Sequence, residues 1–367
     1  MVQRRVGASI KISKFEYTGP AMSYPRFSDI VRSFAPGWFA AVMGTGVLAL
    51  TTRSLAVQWP WLAWPAELLH GFNSLLFLLL AVPWAGRWLR FGAQARQTLA
   101  HPVQANFYPT FSIALLVLAA QWLAFTDCLP VALTLWWLGV GLHFAFSFAV
   151  LFLVFRGDQV GLEHVTPANF IPAVGLVVMP LAGGPLLAHM DGLLRELALL
   201  ANVVGLGAGS MMYLALLGLT FQRKYLHKPA QGVLTPTIWI HLAPLGVIPL
   251  SLLNLLEQLP LPAARPFAQL VLLLFWGFAV WWLVMASLLT LAARKDGQLP
   301  FALSWWGFTF PLGAFVAASL RLHQAFGWGS VLAIAVAAWG LLLALWTVTL
   351  WRTGRGVASG AIFQPHP

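Results

Sequence analysis

What this chain of 367 residues lacks most is charge: Asp, Glu, Lys and Arg together make up 8% of it, and only ten residues are acidic. A soluble domain of that length needs a far larger charged surface, so a water-soluble fold is excluded. Cysteine is nearly absent. Cys128 stands alone, which rules out an internal disulfide and leaves the redox compartment unread. No Gly-rich phosphate loop of the G-x-x-x-x-G-K type occurs, which argues against a nucleotide-driven pump. His70, His143, His241 and His323 are the candidates for axial haem ligands in a membrane anchor of a redox complex, a reading from a different class, yet no two of them form a closely spaced motif on one helix. A basic-aromatic stripe outside the apolar segments is also missing, so no nucleic-acid partner is expected. No pattern of residues asks for a cofactor, a metal or a catalytic centre.

What is present is apolar. Hydrophobic residues make up 60% of the chain and 19 residues are Trp, and the mean hydropathy is +0.80. This composition predicts an all-α integral membrane protein. Spans are expected at 34–52, 64–86, 105–125, 130–155, 168–189, 196–222, 236–257, 267–293, 301–323 and 328–351, each near the ~20 apolar residues that a crossing needs. Residues 1–32 read as a basic arm carrying Arg4, Arg5, Lys11, Lys14, Arg26 and Arg32, residues 33–352 as the membrane domain, and 353–367 as a tail. No small-residue cleavage site follows the first span, so no cleaved signal peptide is expected.

Lys and Arg are distributed unevenly over the loops. The side holding both termini carries 17 of the 21 basic residues, and the opposite side has Arg53, Arg195, Arg265 and Arg321. Basic residues near span ends are retained in the cytoplasm, so both termini are expected there, in a multi-pass protein of a bacterial inner membrane. The net charge of +11 then reflects orientation and attraction to anionic lipid.

An internal repeat organises the apolar segments. Pro36, Pro109, Pro172, Pro244 and Pro311 recur at steps of 73, 63, 72 and 67 residues, and Ala-Asn-Phe-x-Pro is shared by the second and third approaches. A period of that length fits a helical hairpin, so ten helices arise as five hairpins. Every repeat proline falls in an odd-numbered span. Because a proline removes a donor and bends a helix, five equivalent bends either ease the packing of long helices or place the odd spans in an inner ring around a quasi-fivefold axis, jacketed by the even ones.

The residues after the prolines are small: Gly37, Ala40, Ala41, Gly44, Thr45 and Gly46 in the first span, Gly313, Ala314, Ala317, Ala318 and Ser319 in the ninth. Small residues either allow close helix approach or leave a lumen, and both readings stand. Positions 310, 314, 317 and 321 share one helical face, placing Phe310, two alanines and Arg321 in a line. That face reads as a path with an aromatic plug and a cation, or as a core aromatic with an arginine that snorkels to the surface. Other candidates for an anion path are the hydroxyls of Thr45, Thr110, Ser112 and Ser319, the amides of Asn106 and Asn169, and the positive N-terminal ends of the post-proline helices. Glu67 and His70, three residues apart, read as a proton-coupling pair or as a polar pair near a helix end. His143 reads as a bonded core group, and His241, three residues before Pro244, as the better titratable pore candidate. Gly205, Gly207 and Gly209 read as a packing face.

The strings Phe34-Ala-Pro-Gly-Trp-Phe-Ala-Ala-Val-Met-Gly-Thr-Gly (34–46), His101-Pro102, Asn169-Phe-Ile-Pro and Trp305-Trp-Gly-Phe-Thr-Phe-Pro (305–311) resemble the tellurite-resistance/C4-dicarboxylate transporter family over roughly residues 33–352. That family includes plant slow-type anion channels, malate permeases and sulfite-efflux pumps. The resemblance implies five helical hairpins around a central pore, a homotrimer, a small anionic substrate such as malate, succinate or sulfite, and an aromatic side chain of the ninth helix closing the pore. Phe310 is the position that matches the gate, with Phe308 as the alternative register. The Met43–Gly46 stretch looks closer to the dicarboxylate and sulfite branches than to the tellurite-resistance channels.

Overall fold

The computed structural model describes residues 24–101, 103–157, 165–226 and 232–363. Arg4, Arg5, Lys11 and Lys14 of the basic arm lie outside the described residues, as do Pro102 and Lys228. Nine helical stretches among the described residues are long and apolar enough to cross a membrane, and a tenth arises where Phe27–Ser33 and Pro36–Leu55 meet at a 91° bend. The chain is a multi-pass membrane protein. At the end of the arm, α1 (Phe27–Ser33) turns sharply into the first span.

Five helices are short and five are long. The short ones are α2 (Ala40–Leu55), α5 (Pro109–Phe125), α7 (Ile171–Leu186), α9 (Leu242–Leu256) and α11 (Thr309–Phe326). Their partners are α3 (Ala63–Arg90), α6 (Leu129–Arg156), α8 (Gly192–Leu226), α10 (Arg265–Lys295) and α12 (Gly329–Ala358), with the short α4 (Gly92–Leu99) after α3. A helix of 16 residues such as α7 spans only ~24 Å at 1.5 Å per residue, less than a bilayer core. Each short helix is therefore preceded by a 3₁₀ lead-in: Pro36–Phe39, Gln104–Phe107, Pro167–Phe170, Gly232–His241 and Leu303–Phe308. The long helices overrun the expected span edges, and α12 extends past residue 352 to Ala358, so the tail begins later than its sequence implies.

The hairpins pair α2 with α3, α5 with α6, α7 with α8, α9 with α10 and α11 with α12. The short helices also touch in sequence, α2 to α5 to α7 to α9 to α11, and α11 closes back on α2. That is a ring of five inner helices. Each outer helix also leans on the inner helix of the next hairpin, as α6 does on α7 and α10 on α11. In the most apolar windows of four inner segments 67% to 89% of residues are buried inside the chain, against 22% to 28% for the outer ones, whose apolar faces are left to lipid.

The repeat prolines do not bend the middles of the inner helices as expected. Pro109 opens α5, Pro172 is the second residue of α7, and Pro244 and Pro311 are third in α9 and α11, while Pro36 opens the lead-in to α2. Four of them stand within the first three residues of an inner α-helix and Pro36 at the first residue of a lead-in, so none removes a donor from the middle of an inner helix. The prolines inside inner helices are others: Pro180 and Pro185 in α7 and Pro249 in α9. Pro185 cannot donate to the Leu181 carbonyl, and Asn254 of α9 donates its side-chain amide there at 3.1 Å.

Tryptophan fastens the jacket to the ring. Trp136 of α6 donates to the Met179 carbonyl at 3.0 Å, Trp276 of α10 to Ser319 at 2.8 Å, and Trp339 and Trp346 of α12 to Thr52 and Thr45 at 3.0 and 2.9 Å. An indole N–H without a partner inside a membrane is costly. His143 on α6 does the same between α5 and α7. Its Nε2 lies 2.9 Å from the Pro172 carbonyl and its Nδ1 2.9 Å from the Ser112 hydroxyl. Because the carbonyl only accepts, Nε2 carries the proton and Nδ1 accepts.

The His143 ring lies where a side chain of Gly175 would start: a Cβ there would come within 1.8 Å of the ring. Gly175→Ala should therefore lower the thermal midpoint of the detergent-solubilised protein, with an overpacking penalty of about 1–3 kcal/mol. His143→Ala in the same chain should recover part of it, read as a coupling in a double-mutant cycle. Additive losses would mean that the ring and the glycine do not meet.

Candidate functional site

Two cavities lie along the axis of the inner ring, and each is lined by residues from all five repeats. The first, of about 220 Å³, sits at the lead-in end, the face that carries most Lys and Arg. The second, of about 290 Å³, lies toward the opposite face and is bounded by residues such as Thr51, Ala120, Leu181, Val247 and Ala314. Phe310 lines both, and among the described residues it alone is shared between the two linings. Its side chain is 4% exposed and stands in the second position of α11.

Among the described residues, no charged side chain lines either cavity. The electrostatics of the first come from the backbone. Ala40, Thr110, Ile171, Ala243 and Phe310 all border it, and each is the first or second residue of its inner α-helix. Five helix N-termini thus converge on one small space, each carrying roughly half a positive charge from its aligned peptide dipoles. Such ends attract anions without an ammonium or guanidinium.

Few side-chain donors reach that cavity. Thr110 borders it, with its hydroxyl 2.6 Å from the Phe107 carbonyl and 2.8 Å from that of Pro36. Gln104, Thr237 and Ser304 also border it, and sequence reasoning missed all three. Thr237 donates to the Leu234 carbonyl at 2.6 Å, and Ser304 to that of Val233. Their lead-ins lacked the alternation that would have told which side faces the axis.

The other sequence candidates separate into those at the axis and those turned away. Ala314 and Ala317 line the second cavity, one and two turns beyond Phe310. Thr45 instead donates to the Ala41 carbonyl and accepts from Trp346 of α12. Gly44 packs on Thr309, where a Cβ would come within 1.9 Å of the hydroxyl. Ser112 faces His143 and Ser319 faces Trp276. Asn169 forms a capping box with Thr166, and Asn106 donates to the Val103 carbonyl at 3.4 Å; neither lines a cavity. His241 is fully buried between Phe170 and Trp282, at ring-centroid distances of 4.5 and 4.2 Å, rather than on the axis. Phe308 is packed edge-on against Trp239 and Trp305, away from both cavities.

The charged candidates end at the rim. Arg321, one turn past Ala317, forms an ion pair with Glu257 at the end of α9 and lines neither cavity. Glu67 takes the guanidinium of Arg53 at 3.0 Å in place of His70. His70 lies flat on Phe125, with ring centroids 4.9 Å apart. His323 meets the Trp328 carbonyl at 3.0 Å, and the four histidines proposed as haem ligands each occupy a separate set of protein contacts.

Comparison with known proteins gives these cavities a context. The chain is 39% identical to an uncharacterized transporter of Methanocaldococcus jannaschii over 92% of its own length and 97% of that protein's. It is 28% identical to a sulfite efflux pump of Arthroderma otae, covering 86% of this chain and 90% of the pump. A sulfite efflux pump of Arthroderma benhamiae is 27% identical over 81% of this chain and 83% of its own. The resemblance carried by the Phe34–Gly46 and Trp305–Pro311 strings is borne out, because the family pattern runs from just before the first lead-in into the last turns of α12. Matched over residues 33–354, the chain belongs to the voltage-dependent anion channel family, SLAC1, whose members move anions through the membrane.

Proposed function

We propose that this protein carries a small oxyanion, sulfite in the first instance, along the axis of the inner ring, with Phe310 as the gate between the two cavities. The observation that carries the reading is the position of Phe310: one buried phenyl side chain borders both spaces. A hydrophobic constriction closes a pore by excluding water, and needs no charge to do so. Below it, five helix N-termini favour an anion over a cation. The curated fungal relatives are named as sulfite efflux pumps, which favours sulfite over other anions.

The cavity chemistry points the same way. A C4-dicarboxylate has two charged ends and calls for two spaced sets of donors, whereas three of the hydroxyls at the first cavity already donate to backbone carbonyls. A compact oxyanion with one centre of charge suits dipole ends better than a fixed pair of cations would. The excess of Lys and Arg at the lead-in face orients that face, and both termini, toward the cytoplasm of a plasma membrane.

The test is flux of radiolabelled sulfite into proteoliposomes, kept under reducing conditions, with malate as the comparison anion. Wild-type protein should carry sulfite faster than malate; malate-selective flux, or none of either, would sink the proposal. Phe310→Ala should raise sulfite leak about tenfold or more, since lowering the barrier by ~1.4 kcal/mol is enough. Phe308→Ala should cost stability while leaving leak unchanged, because that ring packs between two tryptophans. Leak that rises with Phe308 and not with Phe310 would move the gate.

Arg321→Gln tests the rim. The pair with Glu257 is partly exposed, at 30% and 42% for the two side chains, and such pairs contribute about 0–1 kcal/mol. Sulfite flux should stay within about twofold of wild type, as expected for a side chain outside the path. A drop to a tenth of wild type with intact folding would put the guanidinium field back on the anion path.

A further inference from the structure

We propose that a basic pocket beside the axis, at the lead-in face, is an oxyanion-binding antechamber that loads the first axial cavity. The pocket, of about 110 Å³, lies between the last turns of α8 and α10 and the 232–241 lead-in. Arg223, Lys224, Thr235, Thr237, Asp296 and Gln298 border it. Its room suits several waters or one small oxyanion rather than a lipid headgroup with its glycerol and chains. The identity of its ligand rests on the oxyanion-transport reading above.

Two placements carry the argument. The first is the wall. Thr237 lines both this pocket and the first axial cavity, while Ile238 faces the pocket and Ile240 the cavity. One 3₁₀ segment thus has the basic pocket on one side and the first axial cavity on the other. The second is the orientation of the basic residues. At the end of α10, Arg294 and Lys295 are exposed, as helix-end counter-charges and membrane anchors usually are. Arg223 and Lys224 at the end of α8 are instead half-buried and turned into the pocket. The Lys224 ammonium is held 5.5 Å from the ring centroid of Trp282, an attraction between cation and ring face that positions it at the pocket.

The site answers a need of the axis. An anion that enters the first cavity leaves water for dipole ends and hydroxyls whose protons are already committed. Holding anions one segment away, in a space with fixed positive charge, raises their local concentration at the entrance. Asp296 opposes this, and its carboxylate keeps the pocket from trapping the anion.

The experiment measures sulfate binding by isothermal titration calorimetry at low ionic strength, and sulfite flux with the anion supplied from one face at a time. Sulfate serves as the binding probe because it resists oxidation. Lys224→Gln should weaken sulfate binding about tenfold and raise the KM for sulfite offered at the lead-in face by a similar factor, with maximal flux unchanged. Lys224→Arg should stay within about threefold of wild type on both measures, since it keeps the charge. Asp296→Asn replaces an exposed side chain, does not endanger the fold, and should tighten binding about threefold. Sulfite offered at the opposite face should show no change in KM. Affinity and KM left at wild-type values by both Lys224→Gln and Asp296→Asn would overturn the site. So would sulfate binding abolished by phosphatidylglycerol nanodiscs but intact in phosphatidylcholine ones, which would make it a lipid site. Wild-type protein that binds sulfate here yet carries no sulfite would overturn the transport reading and keep the pocket; sulfite flux with no sulfate binding would do the reverse.

Discussion

The inner ring depends on helices approaching more closely than any side chain would permit. Gly246 of α9 faces the backbone of Ala314 on α11, where a Cβ would come within 2.4 Å of the carbonyl oxygen. Gly313 of α11 lies against Val47 of α2, at 2.3 Å by the same measure. Gly205 and Gly209 of α8 press on the Leu176 and Ala173 carbonyls of α7, at 2.8 and 2.7 Å, whereas Gly207 faces open space. In lipid there is little hydrophobic drive between helices, so dispersion across such contacts holds them together. A ring this tight leaves little room for Phe310 to drift between the cavities it borders.

The same closeness decides where polar side chains go. With no water to accept from hydroxyls or donate to freed carbonyls, each must find a protein partner. Ser251 donates to the Val177 carbonyl at 2.6 Å and Thr52 to that of Leu48 at 2.7 Å. Hydroxyls that a permeating anion would welcome are thereby committed to backbone carbonyls, within a helix for Thr52 and between helices for Ser251. What remains for the anion is the field of the aligned peptide dipoles, whose positive ends border the first cavity. The repeat prolines stand in the lead-in or first turn of each inner helix and so remove no donor from the helix interior.

Much of this order was legible in the sequence, and the reasons are local. Five prolines at near-constant spacing fixed five hairpins, and the alternation of their helices fixed which five would line an axis. Positions 310, 314 and 317 shared a face by the helical period alone, and all three border the outer cavity. The errors have a common cause. An inner helix of a membrane ring is buried around its whole circumference, so no polar stripe marks which side is the lumen. Thr45, Ser112 and Ser319 looked like pore hydroxyls because they follow the prolines, but their partners Trp346, His143 and Trp276 sit on the outer helices. Arg321 had a partner in Glu257, 64 residues away, which no spacing rule finds.

An axis bordered by dipole ends rather than by fixed charges has a consequence for speed. A buried arginine facing a dianion at a few ångströms would hold it in a deep well, since Coulomb energy in a low-dielectric site reaches several kcal/mol even at an effective dielectric constant near 20. Escape would then limit transport. Half-charges spread over five helices make a shallow, broad well, attractive enough to favour anions and weak enough to release them. The charged residues of the opposite face fit this logic, because Arg53 and Arg321 are each tied to a glutamate at the rim and present little net field to an ion on the axis. In the proposed reading, selectivity falls at the lead-in face and closure at one phenyl ring, while the basic residues of the opposite rim are balanced by glutamates.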